Sequence, residues 1–242
     1  MPRSLSNSLT EENYLKFIYH YSQQHPGRVP TNAIAAGMEI SAASVTEKLQ
    51  RMANKGLIDY EKSRGVLLTA DGLRIAVRVV RKHRVWETFL VNKLHFRWDE
   101  VHSIAEQLEH IDSDVLVDRI DALLDFPKFD PHGEPIPDGR GIISPSCFKI
   151  LSEMTSGNSC RITGVKEDSP LFLKLFEDLG LTIGARIFIE GIEVFDQSLS
   201  VICDERLHIR ISKEVATNVL VTSNERCCAF EPRSFQCPAT MS

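Results

Sequence analysis

Apolar residues recur at helical spacing through the first half of the chain and alternate over short runs in the second, which predicts a helical body followed by a β-rich domain. Ser8-Leu9-Thr10-Glu11 fits a capping box, so a helix is predicted to start here, with Leu15, Ile18 and Ser22 on its inner face and His25-Pro26-Gly27 as its end. Thr31, after Pro30, is placed to cap a short second helix that carries Ile34 and Ala35 and stops at Gly37. Ser41 is placed to cap a third, where Val45, Leu49 and Met52 make an i, i+4, i+7 stripe ahead of Asn54-Lys55-Gly56. Residues 57–62 and 66–69 are short β-prone runs around Ser63-Arg64-Gly65, the pattern of a hairpin with a basic tip. A long helix is then predicted from Thr69 to Leu94, another over 99–111 beginning at Trp98-Asp99, and a third from the cap Ser113 to about Leu124.

Residues 126–145 hold five prolines and three glycines and read as linker. Strand-like runs follow at 161–165, 185–190, 199–203, 207–211 and 218–221, with one helix from Pro170 to Leu179 that ends at Gly180, the pattern of a small β-barrel. The expected fold is mainly α: a winged helix-turn-helix over 1–69, a helical metal-binding and dimerisation domain over 70–125, a linker over 126–159, a small C-terminal β-barrel over 160–222 and a tail over 223–242.

Two short helices joined at Gly37–Ile40 and followed by a hairpin describe a winged helix-turn-helix, although a three-helix protein-interaction module has the same apolar pattern. On the DNA-binding reading, Ser41, Ala43, Ser44, Thr46 and Lys48 face the major groove and Lys62 and Arg64 on the wing contact phosphates. Charge supports this reading. Residues 1–84 carry a balance of +6 and residues 85–242 one of −11, so a basic N-terminal third sits on an acidic body. Apolar faces on the three helices that follow, with Val115, Leu116, Ile120 and Leu123 on the last, point to a homodimer whose recognition helices lie about one DNA turn apart.

A hydrophobic content of 43% with 25% charged residues is ordinary for a globular protein. No apolar run is long enough to cross a membrane and the N-terminus lacks a signal-like segment, so the cytoplasm is the expected compartment. The six cysteines include no C-x-x-C pair: Cys147, Cys160 and Cys203 are dispersed, Cys227, Cys228 and Cys237 lie near the C-terminus, and all are expected to be reduced thiols.

Candidate chemistry concentrates between His83 and His110. On a continuous helix His102, Glu106, Glu109 and His110 fall within a stripe of roughly 100°, and His83 and Glu87 form an i, i+4 pair on the preceding helix. Such spacing also occurs on solvated helix faces. Two coupled runs of imidazole and carboxylate can instead enclose a mixed nitrogen and oxygen pocket, which suits Mn, Fe, Co, Ni or Zn better than Ca or Mg.

In this order, Glu11-Glu12-Asn13-Tyr14-Leu15-Lys16-Phe17-Ile18-Tyr19, Ser44-Val45-Thr46-Glu47-Lys48-Leu49, Arg81-Lys82-His83-Arg84, Glu106-Gln107-Leu108-Glu109-His110 and Asp130-Pro131-His132-Gly133-Glu134-Pro135-Ile136-Pro137 resemble the metal-dependent repressors of the diphtheria toxin repressor family, to about residue 222. The resemblance implies a cytoplasmic, homodimeric transcription factor, not an enzyme. It would bind double-stranded operator DNA and repress metal-uptake genes with Mn(II) or Fe(II) as co-repressor. Residues 160–222 are similar to the family's FeoA-like barrel. Carried over by position, Asn13, Glu106, Glu109 and His110 would form a primary metal site and His83, Glu87 and His102 an ancillary one, to which Glu167 or Asp168 would add a ligand. Glu106 stands where iron-type members carry Cys and manganese-type members Glu, which favours the manganese type, with an iron-type sensor as the alternative. Lys16 stands where some members have a further Glu, which implies one ion instead of a close pair. A helical metalloenzyme and a protein-interaction adaptor are the competing classes. A di-iron bundle needs Glu-x-x-His on two helices, whereas this chain has Glu-x-x-Glu-His once, and an adaptor leaves the ligand stripe unexplained.

Overall fold

A computed structural model of the chain describes residues 9–143, 148–167 and 169–223. Ser8, Cys147, Asp168, Cys227, Cys228 and Cys237, for which roles were considered above, lie outside the described residues. The chain divides into two compact units, one formed by residues 1–95, 102–128 and 136–143, the other by 96–101, 129–135 and 144–242.

The first unit opens with α1 (Leu9–Gln24), α2 (Thr31–Gly37) and α3 (Ala42–Asn54), followed by an antiparallel hairpin of β1 (Ile58–Glu61) and β2 (Gly65–Leu68). Tyr14, Leu15 and Ile18 of α1, Ile34 of α2, Val45, Leu49 and Met52 of α3 and Val66 of the hairpin share one core, so the helical stripes meet as their spacing requires. Ser41 caps α3, its hydroxyl accepting from Ser44 N at 3.2 Å. Thr31 does not cap α2. Pro30 takes that place, its carbonyl accepting from Ala33 N and Ile34 N, and Thr31 begins the helix with its hydroxyl buried.

Thr69 caps α4 (Ala70–Leu94) by accepting from Gly72 N at 3.1 Å, and its hydroxyl also reaches the carbonyls of Gly56 and Leu57. Gly72 makes this joint possible, because a Cβ there would stand 1.9 Å from Leu57 O. His95 ends α4 in the left-handed conformation, at φ 58°. The predicted helix over 99–111 is shorter than expected: α5 spans Val101–Leu108. The chain then tightens, with Ile111 N donating to Leu108 O, so Glu109 and His110 lie in a turn. Ser113 caps α6 (Asp114–Leu123), and Val85, Trp86, Ala105, Val117, Ile120 and Ile136 form a second core.

Arg81, Lys82, His83 and Arg84 of α4 are all buried. Arg81 pairs with Asp121 at 2.8 Å and Asp118 at 2.9 Å, while Lys82 donates to Ile111 O at 2.8 Å. This basic run therefore joins α4 to α6 and to the turn after α5.

The second unit is β-rich. Its strands are β3 (Lys149–Ile150), β4 (Ser159–Val165), β5 (Arg186–Ile192), β6 (Leu199–Cys203), β7 (Leu207–Ile211) and β8 (Val219–Thr222), and its helices α7 (Pro170–Asp178) and α8 (Lys213–Thr217). They form one antiparallel sheet in the order β3-β8-β4-β5-β6-β7, which begins within the stretch read from sequence as linker. The ladder shows no β3–β7 pairing that would close it, among the described residues. Alternation sends Leu199, Val201 and Cys203 of β6 into a core with Ile162, Phe176, Ile187 and Val219. The turn at Gly133 packs on β4, Val165 N donating to His132 O at 2.8 Å; with φ at 87° and Thr163 O 2.0 Å from a would-be Cβ, the position admits only glycine. Cys160 and Cys203 are free and buried, and burial pushes both thiols up to about 11. No described helix is long and apolar enough to cross a membrane.

Candidate metal centre

Helical geometry makes the first pair. His83 and Glu87 sit one turn apart on α4, with His83 Nε2 3.0 Å from Glu87 Oε1. His102, near the start of α5, brings Nδ1 to 3.3 Å from the same carboxylate oxygen, and its ring lies edge-on to His83 with centroids 4.9 Å apart. One ligand atom from each of His83, Glu87 and His102 falls within 4.8 Å of the others.

The turn after α5 extends this cluster. Glu109, with 1% of its side chain exposed, places Oε2 2.6 Å from His83 Nδ1 and 2.7 Å from Lys16 Nζ of α1. Lys16 Nζ also stands 3.1 Å from His83 Nδ1. His110 turns its Nε2 to 3.7 Å from Glu109 Oε1 and its Nδ1 to 2.7 Å from Glu12 Oε2 on α1. Two lines of contact therefore join the helix that opens the winged module to α4 and the turn after α5.

The residues expected at the primary site are only partly assembled. Glu109 and His110 are brought together, but Asn13 is exposed, and of the two buried carboxylates of α1 it is Glu12 that reaches His110. The signal was present in the sequence: Glu12 stands at i−3 from Leu15 and i−7 from Tyr19, both buried, whereas Asn13 is turned about 100° away. Glu106 is more than half exposed and approaches His102 Nε2 at 3.5 Å, outside the buried contacts. Glu167 is exposed and accepts from Ser169 N.

The electrostatics follow from burial against pairing. Burial alone would lower the His83 imidazolium, but the Glu87 and Glu109 carboxylates on its two nitrogens outweigh it and raise it to about 9. Burial would raise Glu109, yet His83 and Lys16 hold it below the usual carboxylate range. In metal-free protein, His83 thus contributes stability that is fully present below its ordinary value of 6.5 and is lost as the pH rises through about 9. Chemical denaturation of chelator-treated protein across that window should show the loss in wild type and a flatter profile in His83→Gln; parallel profiles would refute the pairing. Three imidazoles and several carboxylates without a thiolate form a donor set that fits Mn(II) or Fe(II).

The DNA-facing candidates are also placed. Ser41, Ala43 and Ser44 are exposed at the start of α3. Thr46 is half-buried and donates to Ala42 O, and Lys48 is drawn to the buried Glu11, its Nζ at 3.3 Å, beside Lys55 at 2.7 Å. Burial would raise Glu11, but these two ammonium groups hold it low. Lys62 and Arg64 are exposed at the wing, Arg64 pairing with Glu61 at 3.2 Å.

Comparison with known proteins matches three successive stretches of the chain. Residues 8–66 match the iron dependent repressor N-terminal DNA binding domain, 69–138 the iron dependent repressor metal binding and dimerisation domain, and 149–223 the FeoA domain. The iron-dependent repressor IdeR of Mycobacterium leprae is 33% identical over 195 residues, 75% of this chain and 84% of that protein. The diphtheria toxin repressor of Corynebacterium glutamicum is 35% identical over 190 residues, 74% and 82% of the two chains. Among solved structures, a manganese-dependent transcriptional repressor in complex with manganese superposes with a TM-score of 0.80 at 34% identity, covering 88% of this chain and 100% of that one.

Proposed function

Because the chain belongs to the iron-dependent repressor family, and is therefore a metal-dependent transcriptional repressor and not an enzyme, we propose that it binds operator DNA as a homodimer when Mn(II) or Fe(II) is abundant. The observation that carries this reading is the pair of contacts between α1 and the turn after α5, Glu12 to His110 and Lys16 to Glu109. They join α1, the first helix of the winged module, to the turn that carries Glu109 and His110. We assign His83, Glu87 and His102 to an ancillary ion and Glu109 and His110 to a primary one, with Glu12 joining the primary site from α1 and Asn13 and Glu106 as the exposed residues implied by position. A bound divalent cation supplies charge and coordination bonds to these groups and so favours one placement of α1 over others.

Ser41, Ala43 and Ser44 form the face we assign to the major groove, with Thr46 and Lys48 at its margin. Val115, Leu116 and Leu123 of α6 are exposed apolar residues and supply the surface we assign to the dimer. We read the β-rich unit as a small FeoA-like barrel that begins with β3, keep 1–69 and 70–125 as the limits of the two domains before it, and place the protein in the cytoplasm with its operator.

Fluorescence anisotropy with a labelled operator, titrated with each divalent metal in turn, tests the reading: Mn(II) or Fe(II) should tighten binding, and binding indifferent to every metal would reject it. The wing has its own signature. Lys62→Ala with Arg64→Ala should weaken specific and nonspecific DNA alike and flatten the salt dependence by about two counterions. A loss confined to one operator sequence would show instead that the wing reads bases.

A further inference from the structure

We propose that Lys16 is a built-in competitor for the metal: in the metal-free protein its ammonium holds the carboxylate that the ion must take, and so it raises the metal concentration at which the repressor responds. The proposal rests on the metal site argued above. Lys16 Nζ lies 2.7 Å from Glu109 Oε2 and 3.1 Å from His83 Nδ1, with 14% of its own side chain exposed and 1% of that of Glu109. An ammonium at that distance from so buried a carboxylate makes a charge-assisted hydrogen bond in a poorly hydrated setting, where such bonds are strong. A divalent ion that draws on the same carboxylate oxygen needs the space and the lone pair that Lys16 now occupies. Ion and ammonium therefore exclude one another at Glu109 Oε2, and the bond to Lys16 is subtracted from the affinity of the ion.

Position along α1 gives the exclusion a consequence. Lys16 and Glu12 are i, i+4 neighbours, Glu12 reaching His110 and Lys16 reaching Glu109. Displacement of the ammonium frees one of these contacts while the other remains, so exchange of the internal cation for a metal changes how α1 is held. Helix α1 packs in the core that also holds Val45 and Leu49 of α3, so the exchange is registered beside the recognition helix.

The test removes the ammonium and reads metal binding directly. Lys16→Met and Lys16→Gln, the second retaining a neutral donor toward Glu109, are compared with wild type by equilibrium dialysis and calorimetry with Mn(II), and by thermal unfolding with and without the ion. Both variants should bind Mn(II) roughly 10- to 100-fold more tightly, the equivalent of one charge-assisted hydrogen bond, and should gain more thermal stability on loading than wild type gains. Affinity that is unchanged or weaker in both folded variants overturns the proposal and makes Lys16 a supporting residue. Glu109→Gln separates this from failure of the site itself. Undiminished Mn(II) affinity in that variant rejects the site, whereas its loss there together with unchanged affinity in the Lys16 variants rejects the competitor alone.

Discussion

Glu109→Gln is expected to lower Mn(II) affinity by at least about 100-fold and to abolish metal-stimulated operator binding. The side chain is almost fully buried and contacts His83 at 2.6 Å and Lys16 at 2.7 Å, with His110 Nε2 3.7 Å away. The amide keeps the shape but removes the charge, which is the property an ion in a nitrogen and oxygen site requires. Loss of groups that merely orient metal ligands already costs roughly 10- to 100-fold in affinity, and loss of a ligand costs more. Glutamine is a better probe than alanine, because alanine would also leave a cavity beside two cationic groups. Dialysis against Mn(II), anisotropy with the operator and circular dichroism on the same sample decide the matter. Full activation of a well-folded variant by Mn(II) and Fe(II) would remove Glu109 from the site.

Arg81→Ala is expected to cost about 3–5 kcal/mol of the stability of the first unit, the usual result of taking one partner from a buried ion pair. Arg81 and Asp121 keep only 11% and 10% of their side chains exposed and meet at 2.8 Å, so the substitution leaves the Asp121 carboxylate buried without its partner. At this size the loss amounts to a fall in Tm of roughly 10 °C or more. Replacing both residues by apolar ones, Arg81→Met with Asp121→Leu, should recover much of it, because desolvation offsets most of the attraction within such a pair. A single variant that melts with wild type would show that the buried Arg81–Asp121 pair is not needed to hold α4 to α6. DNA binding by the refolded single variant with saturating Mn(II) should resemble wild type, since Arg81 faces α6.

The basic run that contains Arg81 shows where sequence reading stops. Arg81-Lys82-His83-Arg84 contributes to the positive balance of the first 84 residues and so counts toward nucleic-acid affinity, yet all four residues are buried in the described structure. Net charge records how many basic groups a segment holds, while their partners, Asp118, Asp121 and Ile111 O, come from residues 29 to 40 positions away. Lys48 repeats the lesson: its place on α3 predicts a contact with DNA, and Glu11 of α1 draws it aside.

What the sequence determined by itself was local. Capping residues at Ser41, Thr69 and Ser113, the stripe of Val45, Leu49 and Met52, the hairpin around Arg64 and the His83–Glu87 pair all depend on neighbours within one or two turns, where the backbone repeat fixes direction. The family resemblance was equally legible, because it rests on order and spacing. Tertiary structure decided the rest. Helix α5 stops at Leu108, so Glu109 and His110 leave the stripe that a continuous helix would have given them, and the turn carries Glu109 to His83 and Lys16. Burial of Leu15 and Tyr19 fixed the rotation of α1 and turned Glu12 inward in place of Asn13. These outcomes depend on which apolar faces meet across distances of up to 98 residues, and a periodicity of 3.6 shows only that a face exists, not what it packs against.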